Sequence, residues 1–175
     1  MPFQWPWQYD FPPFFTIQPN LSSREKQLEA WARLIIDYCQ FHNIHSLDLN
    51  EVAKSEIFNN TRINRSLNEA GIRTVFDYLE EKEHIEWTDK TKKRCRIYWR
   101  RPEEWGELLY EWASSNGLLN TVITLTDIIE GEDTANESFA GLEKPILIRA
   151  IESLQSQRRA VLVELNNEIG GVKFL

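Results

Sequence analysis

Glu69-Ala70-Gly71-Ile72-Arg73-Thr74-Val75-Phe76-Asp77-Tyr78-Leu79-Glu80-Glu81, followed by Ile85-Glu86-Trp87 and, across Asp89-Lys90-Thr91-Lys92-Lys93, by Cys95-Arg96-Ile97-Tyr98-Trp99, decides the fold. Ile72, Val75, Phe76 and Leu79 recur at helical spacing, with Gly71 early in the helix. The apolar period then changes to two: Ile85 and Trp87 alternate in one strand, and Cys95, Ile97 and Trp99 in the strand that returns. A helix that runs straight into a hairpin is the third helix and wing of a winged helix.

The chain before this stretch supplies the remaining elements. Ser22-Ser23-Arg24-Glu25 reads as a capping box, and Leu28, Trp31, Leu34, Ile35, Tyr38 and Phe41 give the following helix one wide apolar face. Leu47 and Leu49 alternate with polar neighbours as a short strand, and Glu51 to Phe58 and Arg62 to Leu67 are short helical candidates. The order then repeats. Pro102 opens a helix carrying Trp105, Leu108, Leu109 and Trp112, and Val122 to Leu125 is extended. Leu125, Ile128 and Ile129 start another helical turn. A helix from about Leu142, with Pro145 in its first turn, points Leu147, Ala150, Ile151 and Leu154 inward. Ala160 to Leu165 and Val172 to Leu175 are joined by the turn signals Asn166-Asn167 and Gly170-Gly171. The expected fold class is therefore α+β, two tandem winged-helix domains at 21–101 and 102–175, preceded by an extended aromatic and proline-rich segment at 1–20. A single α+β domain is the competing view. The charged, glycine-free junction at Arg101-Pro102 argues for units held close together.

The N-terminal segment Pro2-Phe3-Gln4-Trp5-Pro6-Trp7-Gln8-Tyr9-Asp10-Phe11-Pro12-Pro13-Phe14-Phe15 concentrates a third of the chain's aromatics. Phe3, Trp5, Trp7, Tyr9 and Phe11 fall on alternate residues, so an extended backbone points all five the same way. Pro6, Pro12 and Pro13 favour extension. Such a strip either covers a core of its own chain or docks in a groove on another protein, and the second reading is preferred because aromatics dominate interface hot spots. A WW-domain ligand would need tyrosine where Phe15 stands.

Composition narrows the function. Twenty basic against 27 acidic residues give a net charge of −7, which works against general affinity for nucleic acid or anionic lipid. Two cysteines fit a reducing compartment. No signal peptide and no apolar run of membrane-spanning length is present, so a soluble cytoplasmic protein is expected and the sequons at Asn59, Asn64 and Asn136 carry no weight. The region 69–83 bears Glu69, Asp77, Glu80, Glu81 and Glu83 against Arg73 and Lys82, a poor helix to lay on phosphates. Against it, Lys90, Lys92, Lys93, Arg94, Arg96, Arg100 and Arg101 form a basic wing, read as a solvated hairpin. A nucleic-acid-binding transcription regulator is thus the alternative function, with no nucleic acid expected.

Cys39, His42 and His45 are the sole candidate metal trio and lack a fourth ligand, so a zinc site is not expected. There is no phosphate loop, no paired acid and base, and no cofactor motif: no enzyme and no cofactor are inferred. The surplus of apolar residues says more. Ile146 and Ile148 lie off the main helical stripe, and Val122 and Ile123 are adjacent, so part of this surface is either covered by the first unit or offered to a partner.

Trp5-Pro6-Trp7-Gln8-Tyr9, Phe11-Pro12-Pro13-Phe14-Phe15, Phe58-Asn59-Asn60, Trp99-Arg100-Arg101-Pro102-Glu103-Glu104-Trp105 and Gly171-Val172-Lys173-Phe174 together resemble the small-subunit family of ESCRT-II, the endosomal sorting complex of the multivesicular body pathway. The resemblance spans the whole chain. It implies two winged helices and a non-enzymatic adaptor in the sorting of ubiquitinated cargo, with two copies joining the two larger ESCRT-II subunits. The docking role falls on Trp5, Trp7, Tyr9, Phe11, Pro12, Pro13, Phe14 and Phe15. The second winged helix would recruit the myristoylated ESCRT-III subunit that initiates assembly; the resemblance assigns only that region, and the surplus apolar residues Val122, Ile123, Ile146 and Ile148 are the candidates within it. The implied location is the cytoplasm and the surface of endosomes, with a secondary nuclear role tied to transcription elongation.

Overall fold

The computed structural model describes residues 1–175, which form two compact units, Met1–Trp99 and Arg100–Leu175. In the first, α1 (Leu21–Phe41) leads through β1 (Ser46–Asp48) and α2 (Leu49–Val52) to a short ladder of β2 (Asn59–Asn60) and β3 (Arg65–Ser66). Then come α3 (Glu69–Glu81), β4 (Ile85–Trp87) and β5 (Arg94–Ile97). Strand β5 is central in an antiparallel sheet of order β1-β5-β4, and Cys95 stands opposite both Leu47 and Trp87. The second unit repeats the plan: α4 (Pro102–Ser115), β6 (Val122–Thr124), α5 (Leu125–Glu130), α6 (Lys144–Ser156), β7 (Ala160–Leu165) and β8 (Glu168–Phe174), with sheet order β6-β8-β7. Each unit is a winged helix, and the fold is α+β.

The helices follow from apolar spacing and polar caps. On α1, Leu28, Trp31, Ala32, Leu34, Ile35 and Cys39 are buried. The helix begins earlier than the Ser22–Glu25 box suggests, because the Asn20 carboxamide accepts the Ser23 N–H at 3.0 Å and is the cap. Asn68 does the same for α3, accepting from the Gly71 amide at 2.7 Å. In the second unit α4 approaches α6 closely at Gly106, where an added Cβ would stand 3.0 Å from the Ala150 carbonyl oxygen.

Four expectations are corrected. Helix α2 ends at Val52, and Arg62 to Leu67 is not helical. Asn59 and Asn60 pair antiparallel with Ser66 and Arg65 around a turn with Asn64 at φ 53°, while the Asn59 amide nitrogen donates to the Ala53 and Ser55 carbonyls. Gly170 and Gly171 lie inside β8, and the turn is Asn166-Asn167 alone, both with positive φ. Ile146 is core at 2% exposure: it sits four residues before Ala150, on the flank of an apolar face wider than the Leu147 to Leu154 stripe.

The largest correction concerns the N-terminal segment, which does not stay extended past Pro6. Trp7–Asp10 and Pro12–Phe15 are 3-10 turns, closed by Tyr9 N–H to the Pro6 carbonyl at 3.0 Å and Phe14 N–H to the Phe11 carbonyl at 2.9 Å. Proline fixes φ near −65°, which suits a 3-10 turn as well as an extended chain. The turns break the alternation and send Tyr9, Phe14 and Phe15 into the first unit's own core. Residues 1–20 are thus part of that unit.

Phe14→Ala is expected to cost about 3–5 kcal/mol, and removal of residues 1–15 to leave the first unit largely unfolded. Urea denaturation followed by tryptophan fluorescence measures both; midpoints equal to wild type would contradict this packing.

Candidate partner-docking surfaces

The first surface is built from α1 outward. Trp31, fully buried, stacks on Phe14 with ring centroids 4.1 Å apart and planes 8° from parallel, and meets Phe15 edge-on at 5.5 Å. Its indole N–H donates to the Phe14 carbonyl at 3.0 Å. One turn earlier on the helix, the Gln27 amide nitrogen donates to the carbonyls of Phe14 at 3.0 Å and Thr16 at 2.8 Å, and its oxygen accepts the Gln18 N–H at 3.0 Å. Two side chains at i and i+4 therefore satisfy the backbone of a segment with no strand beside it.

Further along, Tyr9 stacks on Trp5 at 3.9 Å and its hydroxyl donates to the Glu56 carbonyl. Burial, with Glu56 nearby, pushes the Tyr9 phenol up to about 12. The Asn60 amide nitrogen donates to the Tyr9 carbonyl at 2.6 Å, and Arg62 pairs with Asp10 at 2.7 Å. Phe3 meets Trp5, Tyr38 and Phe41 edge-on.

The eight residues expected to dock are thereby sorted. Tyr9, Phe14 and Phe15 are buried in their own unit, and Trp5 is half-buried against Tyr9. Pro12 and Pro13 are exposed, Trp7 is 70% exposed and Phe11 47%, and the last two rings meet edge-on at 5.6 Å. Beside them, Trp7, Phe11, Pro13 and Phe14 form a cleft of about 540 Å³ with Lys26 and Ala30 of α1.

In the second unit the apolar positions also divide. Val122 is 51% exposed on edge strand β6, Ile123 and Ile148 are half-buried, and Ile146 is core. Val122 and Val161 both stand opposite Lys173, so the three side chains share the outer face of the sheet. Val161 is 43% exposed, and Leu165 and Ile169 are exposed too. Gly171 leaves room on that face between Leu165 and Val122. Sequence reasoning missed Val161 and Leu165; the signal was the unbroken run Ala160-Val161-Leu162-Val163, whose members alternate faces and so cannot all be covered.

Cys39 is fully buried in the core, His45 is buried, and His42 is exposed against the rings of Tyr38 and Phe41. No group of three or more His, Cys, Asp or Glu side chains is placed to hold a metal ion. No helix is long and apolar enough to cross a membrane.

Fold and surfaces define a tandem winged-helix protein that presents aromatic and aliphatic faces. A family model described as "ESCRT-II complex subunit" matches residues 8–143, and the chain belongs to that family. It is 48% identical over 174 residues to vacuolar protein-sorting-associated protein 25 of Danio rerio, covering 99% of each chain. With the Homo sapiens protein of that name it shares 45% over 174 residues, covering 99% of this chain and 98% of the other. Among solved structures it is similar to subunit VPS25 of the endosomal trafficking complex ESCRT-II, with a TM-score of 0.83 and 27% identity over 97% of this chain and 98% of that one. A chain of the endosomal complex ESCRT-II (VPS22/VPS25/VPS36) aligns with a TM-score of 0.79 and 26% identity over the same shares.

Burial pushes the thiols of Cys39 and Cys95 up to about 12. At pH 8 neither is expected to react with a thiol–disulfide reagent in the native protein, and both react after denaturation. Fast stoichiometric labelling of the native chain would show the core open.

Proposed function

We propose that the chain is a non-enzymatic adaptor of ESCRT-II in endosomal trafficking. It docks on the two larger subunits through its N-terminal aromatic face and meets an ESCRT-III subunit through its second winged helix. The supporting observation is the exposed Trp7–Phe11 pair over an apolar cleft, held in place by buried neighbours. Large exposed aromatics around a cleft match the composition of interface hot spots. The solved complex of VPS22, VPS25 and VPS36, whose chain this one resembles over nearly its full length, supplies the partners. Two copies per complex, action in multivesicular body sorting of ubiquitinated cargo, and a cytoplasmic, endosome-peripheral location follow from the same reading.

The face is a preformed surface. Tyr9, Phe14 and Phe15 tie it to the core, so little backbone freedom remains to be lost when a partner binds. The interface residues are then Trp7, Phe11, Pro12 and Pro13, with Trp5 at the margin. On the second winged helix the outer sheet face of Val122, Val161 and Leu165 is the surface for the ESCRT-III subunit; Ile123 stands opposite the buried Val172 on the other face of the sheet, and Ile146 is core.

The Trp7→Ala, Phe11→Ala double variant is expected to melt close to wild type yet weaken association with the large subunits by at least about 3 kcal/mol, roughly a hundredfold. Co-purification from cells expressing all subunits reads this out, and undiminished assembly would overturn the docking reading. Separately, Val122→Asp with Val161→Asp is expected to abolish ESCRT-III recruitment while leaving assembly with the large subunits intact; recruitment that survives would remove this face from the proposal.

A further inference from the structure

The two wings share a topology but not a chemistry. The β7–β8 turn is Asn166-Asn167 followed by Glu168, whereas the β4–β5 turn carries Lys90, Lys92, Lys93 and Arg94 within five residues. Nothing in the docking reading uses this basic tip.

The tip is built, not loose. The Asp89 carboxylate accepts the Lys93 N–H at 3.0 Å, the Arg94 N–H at 3.1 Å and the Thr91 hydroxyl. The Thr91 hydroxyl and then the Arg94 amide hold the Asp89 carboxyl below its usual range. The lone acid of the turn therefore stays ionised and is held by the turn's own amides, so the tip carries four basic residues against one carboxylate. From behind, Arg73 of α3 lies over the Trp87 ring at 5.6 Å and donates to the Lys92 carbonyl at 2.9 Å. Lys92 has Glu80 at 3.9 Å and Arg94 has the half-buried Asp48 at 3.3 Å. Lys90 and Lys93 are exposed and have no carboxylate within ion-pair distance.

We propose that this wing tip is a contact for an anionic membrane surface. The inference rests on the endosomal reading only for the presence of a membrane. Shape and charge favour a bilayer over a duplex. To read a groove, a winged helix lays its third helix against phosphates, and α3 carries Glu69, Asp77, Glu80 and Glu81 on exposed positions. A flat surface meets the tip alone. At physiological salt the Debye length is about 8 Å, so the chain's distant carboxylates are screened while cations at the surface are not. Each basic residue near an anionic leaflet raises partitioning roughly fivefold. One tip thus gives weak contact, suited to orienting a complex held by other means.

The test is co-sedimentation of the full chain with vesicles of phosphatidylcholine alone or with about 30% phosphatidylserine, at low and physiological salt. Preference for the anionic vesicles, weakened by salt and lowered roughly tenfold or more by Lys90→Glu with Lys93→Glu, is the expected result. Both side chains are exposed, so the variant is expected to melt as wild type does, and co-purification with the large subunits to be unchanged. Equal sedimentation with both vesicles, or anionic binding unmoved by the variant, overturns the proposal. So does retention of duplex DNA or RNA in preference to vesicles, which would make the tip a nucleic-acid contact. The assay contains no partner subunit, so its failure leaves the docking reading standing. Trp7→Ala with Phe11→Ala is expected to bind vesicles as wild type does; loss there would move the membrane contact to the aromatic face and overturn the assignment to the wing.

Discussion

The first unit depends on one contact, the stack of Trp31 on Phe14 with the indole N–H bonded to the Phe14 carbonyl. A segment with Pro6, Pro12 and Pro13 brings few backbone donors, but its carbonyls still need partners once its rings are buried. Helix α1 supplies them from Trp31 and Gln27, one turn apart. Packing and hydrogen bonding therefore select the same register: Phe14 cannot slide along α1 without losing both. That register decides which rings go in and which remain outside, and so positions Trp7 and Phe11.

Much of this architecture was legible from the letters. Leu28, Trp31, Leu34 and Ile35 announced α1, and the switch of period after Leu79 announced the wing, because helix and strand faces repeat at different intervals whatever the partner. The fate of the N-terminal rings was not legible. Proline fixes the same φ in an extended chain and in a 3-10 turn, so the choice rests on distant groups: Gln27, Trp31, Glu56 and Asn60. Ile146 was misplaced for a related reason. The width of a buried helical face depends on what packs against it, which the spacing of α6 alone does not reveal. For the proposed docking site, the sequence pointed to a segment but not to which of its rings stay outside. It named eight residues, and burial leaves Trp7, Phe11, Pro12 and Pro13 outside with Trp5 at the margin.

The repeat shows how one topology hosts different chemistry. Both sheets place the last strand between the other two, and both hairpins project from the third helix. In the first unit Asp89 accepts from the turn's own amides and four basic residues outnumber it, leaving a net cationic tip; in the second, Asn166 and Asn167 make the tight turn with no charge and the outer face carries Val122 and Val161. Acidic residues on α3 occupy exposed positions of the helix that a groove reader would lay on phosphates. What remains are an aromatic and a basic face on the first unit and an aliphatic face on the second.

Under the proposed docking, sharing one segment between core and interface couples folding to assembly. A free aromatic strip would give up backbone and side-chain entropy on docking, at roughly 1–2 kcal/mol per residue for the backbone alone. Here that cost is met during folding, offset by burial of Tyr9, Phe14 and Phe15, and the partner meets a rigid pair of rings. The arrangement also sets a threshold. Any change that loosens Phe14 from Trp31 frees Trp7 and Phe11 as well, so if these rings dock as proposed, a lesion buried in the core weakens docking without touching the interface. The first unit thus presents its aromatic face only when it is folded, and a chain with an incomplete core offers partners nothing rigid to bind.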